Sequence, residues 1–128
     1  MEKRPGPDIG LFYRKSDIRT WPPNVNMSSQ QHVSLFLEKN DLACPAQFRA
    51  LDLVSEVGEV AKEILKMTNY GTREPEPRAE IKNEIGDVYF SLLALAESLH
   101  IDLEEALRLT LEKYDKRLQK GSAGSEVD

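Results

Sequence analysis

From Val88 to Ala96 the chain carries one polar residue, Ser91, among Val, Tyr, Phe, Leu and Ala. On a helix, which turns about 100° per residue, Val88, Tyr89, Phe90, Leu92, Leu93, Leu95 and Ala96 leave almost no side for water. Such a segment has to be covered on all sides by other helices or by other subunits. It falls far short of the ~20 residues of a membrane span, so the expectation is a buried bundle helix and no membrane.

No stretch alternates with the period of two that a half-buried strand requires. Four helices are expected instead. Ser28 with Gln31 forms a capping-box pattern opening a first helix to about Lys39. Pro45 suits the first turn of a second helix, reaching about Thr68 before Gly71. A loop with two prolines follows, and a third helix spans about Arg78 to Leu99. Asp102 with Glu105 is a second capping box, starting a fourth helix that ends near Gln119. Residues 1–27 hold four of the seven prolines and read as an irregular arm, 28–120 as the helical domain, and 121–128 as a disordered tail. A core of this size is modest for one copy, and association would relieve the limit.

A net charge of −5 argues against a nucleic-acid polymer as partner, since that needs a basic stripe. Cys44, the single cysteine, fits a reducing compartment, and the opening residues do not resemble a secretory signal. A cytoplasmic protein is the expectation.

The third and second helices share an unusual feature. The helical period stacks Asp52, Glu56, Glu59 and Glu63 within roughly 60°, and it does the same for Glu80, Glu84, Asp87 and Ser91. An acidic stripe alone is most simply a solvated face. Here neither stripe mixes in Lys or Arg, although like charges three and four apart repel. Asp87 also sits at the rim of the apolar segment, where unpaired carboxylates are costly. Oxygen ligands without a His or Cys cluster suit a hard divalent ion, Mg²⁺ first, which keeps waters and takes substrate phosphates. The di-iron alternative needs Glu-x-x-His, and neither His32 nor His100 stands at that spacing. The apolar side of the second helix, Leu53, Val54, Val57, Ala61, Ile64 and Leu65, is expected to face the core. Gly58 and Gly86, each just before the second acid of its pair, suggest a close helix–helix approach.

Glu56-x-x-Glu59, then residues 60–83, then Glu84-x-x-Asp87 resembles the signature of the MazG-like nucleotide pyrophosphohydrolases. The runs Ser55-Glu56-Val57-Gly58-Glu59-Val60-Ala61-Lys62-Glu63, Glu84-Ile85-Gly86-Asp87-Val88-Tyr89-Phe90 and Ile101-Asp102-Leu103-Glu104-Glu105-Ala106 carry the same likeness, which covers about Phe48 to Leu118. The resemblance implies an all-α four-helix bundle of the MazG-like type, completed by oligomerisation into a homodimer or a homotetramer. It implies hydrolysis of (deoxy)nucleoside triphosphates to monophosphate and pyrophosphate, by attack of water on the α-phosphorus. Glu56, Glu59, Glu84 and Asp87 would hold two or more Mg²⁺ ions, with Mn²⁺ a possible substitute. Glu56, Glu59 and Glu63 would be the catalytic carboxylates, Glu63 orienting the water or completing a metal shell. Lys113 and Arg117 on the last helix would bind substrate phosphates, although Tyr114 and Asp115 replace an Asn- and Arg-rich patch of some relatives. Trp21, Phe36, Phe48 and Tyr70 are candidates for stacking on a base. A phosphoribosyl-ATP pyrophosphohydrolase-like enzyme and a non-catalytic helical assembly module are the alternatives.

Overall fold

The computed structural model describes residues 26–121, so the expectations for the arm, its Trp21 and the tail beyond Gly121 lie outside the described residues. Four helices follow in order: α1 Ser29–Lys39, α2 Ala46–Met67, α3 Glu80–Leu99 and α4 Leu103–Gln119. The protein is all-α, with no strand among the described residues.

Each helix begins and ends for a local reason. The Ser28 hydroxyl accepts from Gln31 N at 3.1 Å, and Ser28 N donates back to Gln31 Oε1 at 2.8 Å, closing the capping box of α1. Pro45 precedes α2, where an N–H would have no intrahelical acceptor. Past Met67 the backbone turns left-handed at Asn69, Tyr70 and Gly71, which ends α2. His100 does the same after α3, and Ile101 N donates to Ala96 O at 3.0 Å. The Asp102 carboxylate accepts from Glu105 N at 3.2 Å to start α4. Glu105 does not return the bond, because Arg108 takes its carboxylate. The third helix starts two residues later than the sequence suggests, leaving Arg78 in the loop before it.

Helix α3 is the centre. Both α1 and α2 pack along it, α2 most extensively, while α4 makes only sparse contacts. Gln30 ties the start of α4 to α1, donating to Ile101 O at 2.7 Å and accepting from Leu103 N at 3.0 Å. Phe36 of α1 meets Phe90 of α3 edge to face, centroids 5.9 Å apart. Leu37, Leu93, Ala94 and Ala96 are the buried hydrophobic residues among those described. Tyr89 and Leu92 stay exposed in the single chain, so one copy does not cover α3 on every side.

The orientation of α2 overturns one expectation. Its inward stripe is Leu53, Glu56, Val60, Glu63 and Met67, the acidic side, and α3 is the helix packed against it. The apolar side faces outward: Val54 is 70% exposed, Val57 51% and Ile64 52%. Only one helix face can meet α3, and Glu56 and Glu63 share it with Leu53, Val60 and Met67, so Leu53 alone of the residues expected inward faces α3. The glycine expectation fails as well, since a Cβ at Gly58 or Gly86 would meet nothing within 4 Å. No helix among the described residues is long and apolar enough to cross a membrane.

Candidate functional site

The antiparallel hairpin of α2 and α3 brings acids from both helices together. Glu56, Glu84 and Asp87 each offer a carboxylate oxygen, and the three atoms all lie within 4.8 Å of one another. Glu56 and Glu84 are half-buried between the helices, and Asp87 is exposed at the mouth. The Glu56 carboxyl is pushed above its ordinary range, first by burial, then by repulsion from Asp87 and Glu84. No ion pair joins the three acids to a cation of the protein among the described residues, so the group is short of positive charge.

This donor set suits a hard divalent ion. Three convergent carboxylate oxygens at one mouth, with open positions for water or phosphate, match what Mg²⁺ or Mn²⁺ takes. Glu59 stands outside the group, and its Oε2 lies 3.0 Å from Lys62 Nζ on the same helix. Both partners are about half exposed, so that pair is weak and Glu59 is free to turn.

Glu63 occupies a different setting from the other acids. It is 5% exposed, accepting from Lys66 Nζ at 2.5 Å on one oxygen and from Arg78 Nε at 2.7 Å on the other. These bonds hold its carboxyl below the ordinary range, the Lys66 bond first and the Arg78 bond second. Arg78 is the participant that the sequence reading missed. The signal was a cation at the end of a proline-containing loop, reaching back across 15 positions.

Lys113 and Arg117 sit on α4 against the ring of Tyr114, at 5.1 and 5.9 Å from its centroid. No ion pair brings either to the acidic group. Phe36 is a packing residue against Phe90, whereas Phe48 and Tyr70 are exposed. Two recesses lie away from the acidic group. One of about 340 Å³ is lined by Leu37, Asp41, Cys44 and Arg49, and another of about 310 Å³ by Tyr89, Leu93, Leu103 and Leu107. None of the three acids lines either of these two recesses.

Comparison with known proteins identifies the family. The model of the MazG nucleotide pyrophosphohydrolase domain matches residues 47–121, which includes α3, α4 and nearly all of α2. The chain is 40% identical over 68 residues to the uncharacterized protein YpjD of Bacillus subtilis, covering 51% of this chain and 60% of that one. It is 35% identical over 86 residues to dCTP pyrophosphatase 1 of Mus musculus, covering 61% of this chain and 51% of that one. The chain therefore spans about half to three-fifths of these relatives. No solved structure matches it.

Proposed function

The chain belongs to the MazG nucleotide pyrophosphohydrolase family, and from that premise we propose that it hydrolyses (deoxy)nucleoside triphosphates to monophosphate and pyrophosphate with Mg²⁺. The observation that carries this reading is the convergence of Glu56, Glu84 and Asp87 within 4.8 Å, from two helices, with no protein cation among them.

In this reading Glu56, Glu84 and Asp87 hold the divalent ions, and Glu59 joins them by releasing Lys62. The bound ions supply a Lewis acid to the phosphate oxygens and lower the pKa of the attacking water. The chain's own part is to fix the carboxylates before substrate arrives, so that little reorganisation is needed when charge develops. Lys62, freed from Glu59, and Lys113 and Arg117 of α4 are the proposed partners of the outgoing phosphates. The mouse relative's name puts dCTP first among substrates to try.

Assembly belongs to the same reading. Leu51, Val54, Val57, Ile64 and Leu65 make an outward apolar face on α2, and Leu107, Leu111 and Leu118 are exposed on α4. Apolar surface of this extent is what a partner subunit covers. A homodimer or homotetramer would bury it and close the open side of the acidic group. A cytoplasmic location fits these expectations.

Hydrolysis in ¹⁸O-labelled water tests the bond cleaved. Attack at the α-phosphorus places the label in the nucleoside monophosphate. Label in pyrophosphate, or release of orthophosphate, would contradict the proposal.

A further inference from the structure

Glu63 and Glu56 share one face of α2, seven positions and about 10 Å apart along the axis. Glu56 reaches the acidic group, whereas Glu63 reaches Arg78, which stands two residues before α3 and lies 3.6 Å from Glu80 in its first turn. Lys66, Glu63, Arg78 and Glu80 thus form a row of alternating charge that runs from α2 to the start of α3. Its inner member is buried, and both Glu63 oxygens are engaged.

We propose that Glu63 and Arg78 are positioning residues: their bridge sets the register of α2 against α3, and so the separation of Glu56 from Glu84 and Asp87. This rests on the reading of those three acids as the cation-holding group. The acids repel one another when no ion is bound, which pushes the two helices apart at their level. The loop of residues 68–79 bonds mostly to itself and to the end of α2, as where Glu76 N donates to Met67 O at 2.9 Å, and so holds nothing at the level of the acids against that push. A two-point, charge-assisted contact at the loop end of the hairpin does oppose it, and it fixes the helices along their axes as well as laterally. The same geometry makes Glu63 a poor proton acceptor. Its lowered pKa and doubly bonded, buried carboxylate suit a permanent anion, which replaces the water-orienting role expected from sequence.

The test is Mn²⁺ affinity of the full chain, read by paramagnetic titration below every variant's melting transition, with helix content checked by circular dichroism. Wild type, Glu63→Gln, Arg78→Gln and Arg78→Lys are compared with Leu37→Val, a core change on α1 remote from the bridge. Supporting partners of metal ligands typically contribute 10–100-fold in affinity, so Arg78→Gln and Glu63→Gln should weaken Mn²⁺ binding about tenfold or more. Arg78→Lys keeps the charge and should recover part of the loss, while Leu37→Val should bind like wild type. Unchanged affinity in both Gln variants, or an equal loss in Leu37→Val, overturns the positioning role. If the Gln variants do not fold, Arg78→Lys decides: weakened binding supports the bridge and wild-type binding overturns it. A wild type that binds no Mn²⁺ sinks the cation reading itself, a result distinct from the others.

Discussion

Glu56 of α2 and Asp87 of α3 each bring a carboxylate oxygen within 4.8 Å of the other, with Glu84 in the same group. Three acids so placed destabilise the hairpin when ionised and unneutralised, which gives the site a thermodynamic signature independent of turnover. The raised pKa of Glu56 means that the folded chain holds that proton more tightly than the unfolded chain does. Stability without metal should therefore fall as pH rises through the raised value. Mg²⁺ needs the ionised form, so its stabilisation should grow in the same direction. Melting curves with Mg²⁺ and with chelator should differ more at about pH 8 than at about pH 5. Identical curves at both pH values would mean that the acids do not share an ion.

Glu63 has the opposite sign. Its folded pKa lies below the ordinary 4.5, so its contribution is fully present above that value and is lost as pH falls through the depressed one. The melting temperature of Glu63→Gln should lie below that of wild type near neutrality. The gap should narrow as pH drops below about 4.5. A gap that stays constant into acid would assign the loss to packing rather than to the Lys66 and Arg78 bridges.

Gly58 and Gly86 lie in helix interiors with open space where a Cβ would stand. Gly58→Ala and Gly86→Ala should each stabilise the chain by about 1 kcal/mol through helix propensity. That corresponds to roughly 4–8 °C in melting temperature for a domain of this size. A loss of stability in either variant would show that a partner subunit approaches that face closely.

The outward apolar face of α2 predicts association. Light scattering should find a dimer or tetramer at micromolar concentration, and Val54→Glu with Leu65→Glu should shift it toward monomer. A stable wild-type monomer would contradict the assembly.

The helices were legible in the sequence because their signals are local: Ser28 with Gln31, Pro45, Gly71 and Asp102 act within a few residues of themselves. The convergence of Glu56, Glu84 and Asp87 was legible too, since helical period puts each pair on one face and a hairpin makes the faces meet. Which face of α2 meets α3 was not. The rule that apolar residues turn inward assumes that one chain holds its whole core, and here Val54, Val57 and Ile64 are left outside. The Glu63–Arg78 bridge was illegible for another reason: it spans a loop whose path no residue pattern specifies. Glu59 shows a third limit, because spacing places it on the acidic face but not which neighbour it chooses, and Lys62 lies one turn away.

The most direct measurement is pyrophosphate release from dCTP and the other deoxynucleoside triphosphates with Mg²⁺, comparing wild type with Glu56→Gln, Glu84→Gln and Asp87→Asn. Losing one ligand of the ion that neutralises the developing phosphoryl charge should lower kcat/KM by about two orders of magnitude, a few kcal/mol in the barrier. The account predicts Mg²⁺-dependent pyrophosphate from the wild type and that loss in each variant. Variants that release pyrophosphate as fast as the wild type would contradict it.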